Sequence, residues 1–171
     1  MDLSYRHLLD PSFAPASRVW VYQSGRRFSI AEALETEGLL ENFLRDWKSH
    51  GVAVKGAGYL FFGQFLVLMA DERATGVSGC STDSSVRFVK QLEKLFDISF
   101  FDRTTLAFVR DHQIELLPIS QISYAYENGL IGAGTLFFNN LVQTKQELES
   151  NWIITVEDSW LAKKIRALTR P

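Results

Sequence analysis

The sequence predicts an α+β protein with a ferredoxin-like core, in which two helices cover one face of a four-stranded antiparallel sheet. The main observation is the order of elements over residues 18–110, which is strand, helix, strand, strand, helix, strand, the split βαβ pattern. Apolar residues make up 46% of the chain and charged residues 22%, as in an ordinary globular protein. The 171 residues fit a single domain. We therefore predict one domain with an N-terminal arm (residues 1–17), the core (18–110) and a C-terminal α/β appendix (111–171).

The first half of the core contains a strand and a capped helix. Residues 18–23 are β-branched and aromatic, which favours a strand. Ser29 and Glu32 match a capping box, in which a hydroxyl and a carboxylate each accept from a free backbone N–H at the helix start. His50 and Gly51 provide a stop for this helix. Its apolar side chains recur at helical spacing, at Leu40, Phe43, Leu44 and Trp47.

The second half of the core begins with a hairpin. Residues 54–62 and 65–71 flank Gly63-Gln64, and glycine at the first central position favours a type II′ turn. The remaining core elements are a helix over residues 83–96 and a strand over 104–110.

The appendix is predicted to add short elements of both kinds. They are a strand or tight turn at residues 112–116, a short helix at 120–128, a strand at 135–142, a helix opened by a capping box at Thr144 and Glu147, and a last helix capped by Asp158 and Ser159. No internal repeat or low-complexity tract accompanies them.

The core strands are apolar on both faces. Residues 65–70 are apolar throughout, and strands of this kind are normally buried on both sides. If Val19 and Val21 face the helices, Trp20 and Tyr22 face the opposite side of the sheet. We predict that this opposite face is buried by the appendix, by a second subunit in a sheet-to-sheet homodimer, or by a ligand.

Composition restricts the chemistry and the compartment. Cys80 is the single cysteine, so no intrachain disulfide or thiolate metal cluster can form, and a reducing compartment fits best. The formal net charge of −2 gives no indication of a nucleic-acid partner. The N-terminus has an acid and no long apolar run, and the apolar stretch at residues 60–70 is shorter than the roughly 20 residues of a membrane span. We expect a cytoplasmic protein without a membrane segment.

Several common catalytic and cofactor motifs are absent. The sequence has no G-x-x-x-x-G-K-[ST] phosphate loop, no G-x-G-x-x-G and no G-x-S-x-G. His7, His50 and His112 are scattered, and no two of them have metal-ligand spacing. We therefore expect no resident metal, no cofactor and no ATP hydrolysis.

Polar residues before the second predicted helix form the main candidate site. A helix N-terminus offers free N–H groups that can hold an anion or lower the pKa of a thiol. The alternative is structural, because Ser, Thr and Asp are preferred helix caps and a lone cysteine is often a small buried apolar residue. The candidates, all within residues 79–85, are Cys80, Ser81, Thr82, Asp83 and Ser84. We predict that Cys80 lies at or just before the helix start, with Ser81, Thr82 or Asp83 as its cap.

Two further features have both functional and structural interpretations. Asn139 and Asn140 follow an aromatic run, and asparagine is depleted in strands, so their amides either contact a ligand or form a bulge or turn. The last helix is basic, which indicates either a patch for an acidic partner or a solvated face that complements the helix dipole. Its cations are Lys163, Lys164, Arg166 and Arg170.

Three segments carry a resemblance to a known family. They are Ser-Arg-Val-Trp-Val-Tyr-Gln-Ser at residues 17–24, Gly-Cys-Ser-Thr-Asp-Ser-Ser-Val-Arg-Phe at 79–88, and Phe-Asn-Asn-Leu-Val at 138–142 followed by Asp-Ser-Trp at 158–160. Together they resemble a family of small bacterial proteins of uncharacterised activity, whose members often carry the automatic label "ABC transporter ATPase". The resemblance spans residues 17–160 and implies no established activity. The label conflicts with the missing Walker lysine in this chain.

These observations favour a small binding or protein-interaction module, as a homodimer, with a small-anion site at residues 79–85. One alternative is an enzyme that acts on a small anionic substrate at Cys80. Another is a nucleic-acid-associated module that uses the basic last helix.

Overall fold

The computed structural model describes residues 1–73 and 79–168, and at residues 79–81 and 166–168 it describes the backbone alone. The strands are β1 (Arg18–Gln23), β2 (Lys48–Ser49), β3 (Val52–Ala53), β4 (Lys55–Phe61), β5 (Phe65–Asp71), β6 (Thr105–Arg110), β7 (Gln113–Pro118), β8 (Leu136–Phe138) and β9 (Ile153–Thr155). The helices are α1 (Ile30–Asp46), α2 (Gly79–Phe96), α3 (Ile122–Glu127), α4 (Lys145–Asn151) and α5 (Leu161–Leu168). This mixture of helices and antiparallel strands confirms the α+β class.

The chain divides into two compact units. The N-terminal unit contains residues 2–101 and 142–149, and the C-terminal unit contains residues 102–141 together with the chain from 150 onward. This division differs from the predicted boundaries, since residues 102–110 belong with the appendix and residues 142–149 belong with the core. The single-domain assignment stays a prediction.

The four-stranded ferredoxin-like sheet is not confirmed. The N-terminal unit has a three-stranded antiparallel sheet in the order β1–β5–β4. The predicted fourth strand, β6, lies instead in the sheet β7–β6–β8–β9 of the C-terminal unit. A two-residue turn at Asp111 and His112 joins β6 to β7, and both turn residues have positive φ, 46° and 60°. This tight hairpin gives β6 an adjacent partner, so the strand does not need a distant edge.

A segment from the predicted appendix hydrogen-bonds to the outer edge of β1. The Val19 N–H donates to the Gln143 carbonyl at 2.8 Å, and Arg18 forms a bridge with Thr144. The edge that a fourth ferredoxin-like strand would occupy is therefore partly closed by residues 143–144.

Helices α1 and α2 cover one face of the three-stranded sheet, and the predicted strand orientation is wrong. Trp20 and Tyr22 pack against the helix-side core, whereas Val19 lies on the opposite face and is buried. The large rings fill the space beneath the helices, as shown by the 6.1 Å separation of the Trp20 and Trp47 rings. Alternation alone is equally consistent with both orientations. The buried residues of this core are Phe28, Leu40, Leu66, Leu68, Phe88, Val89, Leu92, Phe96 and Phe100.

The opposite face of the sheet is met by the N-terminal arm. The Tyr5 ring packs edge-on against Phe61 with centroids 5.5 Å apart, and its hydroxyl donates to the Leu148 carbonyl at 2.5 Å. The Asp10 N–H donates to the Tyr59 hydroxyl at 3.1 Å. Burial raises the pKa of both tyrosines. The arm, together with Leu148 of the predicted appendix, therefore covers part of this face, whereas the prediction named the appendix, a second subunit or a ligand.

Three cations hold the arm through its backbone carbonyls. The buried Lys145 ammonium donates to the carbonyls of Asp10 at 3.0 Å and Phe13 at 3.1 Å. The Ser12 carbonyl accepts from Lys55 at 2.8 Å and from Arg73 at 3.1 Å. The bonds from Lys145 replace the solvation of carbonyls that packing removes from water, whereas the bonds to Ser12 are exposed.

The β4–β5 hairpin differs from its predicted turn. Phe62 and Gly63 are the central residues, with φ of 56° and 63°, and the Gln64 N–H donates to the Phe61 carbonyl at 3.0 Å. Two positive φ values match a type I′ pattern rather than the predicted type II′ turn. The Phe28 N–H holds the Gly63 carbonyl at 2.8 Å, which fixes the turn against the start of α1.

The C-terminal unit has its own core. Its sheet packs with α3 and α5, and the predicted strand at 135–142 shortens to β8. Strand β9 was not predicted, because its three residues are too few for a periodic pattern. The buried residues are Phe108, Ile122, Ala125, Ile131, Phe137, Val156, Leu161 and Ile165.

Candidate functional site

The segment predicted as an anion site forms the start of α2. The helix begins at Gly79 rather than at residue 83, so Cys80 lies in its first turn as predicted. The predicted cap is wrong, because Ser81, Thr82 and Asp83 lie inside the helix, and the position that precedes Gly79 is outside the described residues. The side chains of Cys80 and Ser81 are also outside them.

The hydroxyls of Ser84 and Ser85 have partners within the helix. Ser85 Oγ donates to the Thr82 carbonyl at 2.7 Å, and the Arg87 guanidinium donates to Ser84 Oγ at 3.2 Å. Thr82 and Ser84 are half-buried, whereas Asp83 is exposed. Hydroxyls can bond to a carbonyl of the preceding turn, which is how a run of capping residues is accommodated inside a helix.

Asn139 and Asn140 lie in the C-terminal unit and form a turn after β8. The Asn139 N–H donates to the Trp152 carbonyl at 2.6 Å, and its side-chain amide donates to the Asn151 carbonyl at 3.2 Å. Asn140 Oδ1 accepts from the Trp152 indole N–H at 3.0 Å. These bonds correspond to the structural interpretation of the pair, since both amides connect β8 to the segment that enters β9.

The basic last helix is amphipathic as predicted. Ser159 Oγ accepts from the Leu161 N–H at 3.2 Å, and Leu161 and Ile165 are buried in the C-terminal core. Lys163 is exposed and Lys164 is half-buried, so charge faces outward. The Arg166 side chain and Arg170 are outside the described residues.

A shallow pocket lies within the C-terminal unit. Its interior volume is about 10 Å³, roughly the space that one water molecule needs, so it is far below the roughly 300–1,000 Å³ that is usual for ligand sites. Arg110 and Glu115 form an ion pair at 2.6 Å in its wall, so neither charge is unpaired. The pocket is lined by Phe108, Arg110, Glu115, Leu117, Ala125, Leu130 and Ile131.

Two kinds of feature are absent from the part of the chain that the structure describes. Within residues 1–73 and 79–168, no three His, Cys, Asp or Glu side chains group closely enough to hold a metal ion. None of the helices described over the same ranges has the length and apolar character needed to cross a bilayer.

Sequence reasoning missed a surface at the open edge of β4, which has β5 as its single neighbour in the described sheet. Hydrogen bonding alternates along antiparallel strands. The Val19 N–H bonds to Gln143 and therefore points away from β5. Trp20 and Tyr22 bond to their β5 partners Leu68 and Leu66. The β5 residues on either side of Leu68, Val67 and Met69, therefore bond to β4. The backbone groups that point from β4 to the open edge therefore belong to Gly56, Gly58 and Leu60.

Helix α1 lies directly over this edge. An ideal Cβ at Gly58 would fall 2.6 Å from Leu40, and one at Gly56 would fall 2.6 Å from Trp47. The two glycines therefore allow α1 to approach β4 more closely than any side chain would permit.

One flank of α1 exposes large apolar side chains beside the β4 edge. Phe43 stacks on Phe88 of α2 with ring centroids 4.4 Å apart, which identifies the side of α1 that faces α2. Leu34 precedes Phe43 by about two and a half helical turns, so it points away from α2. Leu34 is 65% exposed, and Ile30, one turn earlier, is 83% exposed. We call the β4 edge together with Ile30 and Leu34 the β4-edge surface.

The sequence carried a signal for this surface. Ile30 and Leu34 lie off the predicted apolar face of the first helix, and glycines alternate at Gly56 and Gly58 in a strand, where glycine marks close backbone approach. Neither signal shows that the edge is open, because openness depends on whether any other segment of the chain pairs with β4.

The comparisons with known proteins do not assign the chain to a family. No family model, no curated protein and no solved structure matches the chain.

Proposed function

We propose that the protein is a protein-interaction module that binds through the β4-edge surface. The observation that carries this proposal is the coincidence of an open strand edge with two large exposed apolar side chains on the adjacent helix flank. An exposed edge binds an additional strand through main-chain hydrogen bonds, while neighbouring apolar side chains supply contact area.

The β4 edge lacks several of the features that normally prevent pairing. Edge strands are usually protected by lysine, proline, a bulge or a cover. On β4 the one charged residue is Lys55 at its start, and the following Gly-Ala-Gly-Tyr-Leu has neither charge nor proline. The backbone groups of Gly56, Gly58 and Leu60 have no partner across the open edge among the described residues. This edge is therefore suited to take a strand.

A photo-crosslinking residue at position 34 tests the proposal. A photoreactive side chain replaces Leu34 in the full chain, and irradiation of the cells that produce it should yield a protein adduct identified by mass spectrometry. The matched control carries the same residue at Leu95 of α2, which is 54% exposed and apolar. Absence of an adduct at position 34, or equal yields at both positions, contradicts the proposal.

The start of α2 supports a second proposal, a small-anion site at residues 79–85. Because α2 begins at Gly79, the first-turn N–H groups belong to Gly79, Cys80 and Ser81, and such groups attract anions. Inorganic phosphate should then raise the midpoint of thermal unfolding. We expect slow alkylation of Cys80 by iodoacetamide in the native state, whereas reaction faster than a free thiol favours the enzyme alternative.

We propose that the protein works in a reducing compartment. The single Cys80 favours the cytoplasm. The nucleic-acid alternative depends on the basic face of α5, and it predicts retention on RNA or DNA that falls steeply with salt.

A further inference from the structure

We propose that the occupant of the β4-edge surface is an extended, basic segment of another protein, which adds to the sheet as a strand beside β4. This inference rests on the proposed function and names its partner. Two observations on the described residues carry it. The backbone groups of Gly56, Gly58 and Leu60 point to an open edge, and the flank of α1 above them carries two carboxylates, Glu37 and Glu41, without ion pairs.

Helix α1 is wider than the strand that it covers. A helix with its side chains is about 10–12 Å across, whereas neighbouring strands lie about 4.8 Å apart, so one helix covers roughly two strands. The Cβ position of Gly58 falls 2.6 Å from Leu40, so α1 lies over β4. Since Phe43 faces α2, the opposite flank of α1 extends over the place of one more strand.

The space beneath this flank admits a strand that carries no helix of its own. A second copy of β4 would bring a second α1 to about 5 Å from the first, whereas helices pack about 8–10 Å apart. An extended segment without a covering helix avoids this clash, and its main chain can exchange hydrogen bonds with β4. The sheet-to-sheet homodimer expected from the sequence concerns the opposite face and stays a prediction.

The flank of α1 beside the open edge is acidic. Glu37 and Glu41 are exposed, and neither forms an ion pair with any residue in the described part of the chain. Arg45, one turn after Glu41, donates instead to Asn42 at 2.9 Å. The two carboxylates repel each other at a spacing of four residues. Cations on a bound strand offset this repulsion, which favours a basic partner.

Helix α1 runs antiparallel to β4. Leu40 lies over Gly58, and Trp47, just after the helix end, lies over Gly56. Residues of α1 that precede Leu40 therefore lie toward the later residues of β4. A helix rises about 1.5 Å per residue and a strand about 3.4 Å, so two strand residues match between about four and five helical ones.

This ratio sets the order of side chains along the edge. Leu34, Glu37 and Glu41 are spaced by three and four residues and form one stripe on the flank. Glu41 lies level with Gly58, and Glu37 lies toward Leu60. Leu34 lies one turn further along, beyond Leu60. A bound strand therefore meets two carboxylates and then an apolar side chain.

This order predicts the sequence of the partner segment. Residues opposite Gly58 and Leu60 on an added strand point toward α1, because cross-strand neighbours share a face and a Cβ at Gly58 would point there. An antiparallel strand passes Leu34 first. It therefore carries an apolar residue, a basic residue two positions later and a second basic residue two positions after that.

A nuclear magnetic resonance titration of the full chain tests the inference. The probe is the capped peptide Leu-Thr-Lys-Thr-Lys-Thr, in which threonine favours an extended backbone. It should shift the amide signals of Gly56, Gly58 and Leu60 saturably. The same peptide with glutamate at both lysine positions should bind at least about tenfold more weakly. Methylation of the backbone nitrogen of the second lysine removes the donor opposite Gly58 and should also weaken binding at least about tenfold.

Charge reversal tests the contacts with α1. Glu37→Lys combined with Glu41→Lys should weaken binding of the lysine probe at least about tenfold, and this variant should bind the glutamate probe more tightly than the wild type does. The matched control combines Glu35→Lys with Asp46→Lys, which changes the net charge equally at exposed positions on the other side of α1. It should change the dissociation constant by less than about threefold at physiological salt, because distant exposed charges are screened.

The outcomes separate this inference from the proposed function. Absence of shifts at the β4 edge with the lysine probe, or equal affinity for the lysine and glutamate probes, overturns the inference. A position-34 adduct on a second copy of this chain, or on a segment without alternating basic residues, also overturns it but retains the proposed function. Absence of any adduct at that position overturns both.

Discussion

The two edges of the three-stranded sheet differ in whether another segment of the chain hydrogen-bonds to them. At the β1 edge, the chain supplies its own cover, because the Val19 N–H donates to the Gln143 carbonyl at 2.8 Å. At the β4 edge no strand lies beyond Gly58 in the described sheet. One unit thus closes one edge and leaves the other open, with Leu34 exposed beside it. The difference supports the proposal that the open edge is a binding surface, since unprotected edges otherwise invite aggregation.

The largest expected effect is at the close approach of β4 and α1. Gly58→Ala should lower the free energy of unfolding by about 1–3 kcal/mol, because the new Cβ overpacks against Leu40. Gly38→Ala on α1 is the matched control, since nothing lies within 4 Å of its Cβ position. It should raise that free energy by roughly 0.4–1 kcal/mol. Urea unfolding measures both variants, and equal effects would show that β4 and α1 are not in close contact.

The second prediction concerns the segment that closes the β1 edge. Lys145→Met should cost about 1–3 kcal/mol, because the buried Phe13 carbonyl and the part-buried Asp10 carbonyl lose their donor. Amide exchange at Val19 should also become faster, since Lys145 directly follows the closing residues 143–144. Lys163→Met, at an exposed lysine, is the control and should change stability by no more than about 0.5 kcal/mol. If the two methionine variants are equally stable, Lys145 does not hold the arm.

The sequence predicted local features better than distant ones. The capping box was confirmed, with the Ser29 N–H donating to Glu32 at 2.7 Å and the Glu32 N–H donating to Ser29 at 3.3 Å, because it involves four consecutive residues. The strands of the sheet were also predicted. The sheet that β6 joins was not predicted, because it depends on competition between a strand nearby in the sequence and a distant one.

The candidate site was predicted only in part. The first-turn position of Cys80 follows from local sequence, and the structure places it there. The β4-edge surface was missed, because an edge is open only when no other segment pairs with it. Ile30 and Leu34 were the available signal, as apolar residues off the predicted buried face.

A smaller effect is expected in acid at the start of α1. The Arg26 guanidinium and the Ser29 N–H lower the pKa of Glu32 from 4.5 to about 2. A depressed pKa in the folded state means that this carboxylate stabilises the fold above pH 4.5, and that the contribution disappears as the pH falls to about 2. Between these limits, wild-type stability should fall more steeply than that of Glu32→Gln, in urea unfolding at a series of pH values. Parallel curves would show that Arg26 does not pair with Glu32 in solution.

Amide exchange at the two sheet edges tests the central claim most directly. In dilute solution the Gly58 N–H should exchange quickly, whereas the Val19 N–H should be protected by Gln143. Gly56 and Leu60 should exchange as quickly as Gly58, while Ala57 and Tyr59, which bond to β5, should be protected. Exchange at Gly58 that is as slow as at Val19 would contradict an open β4 edge.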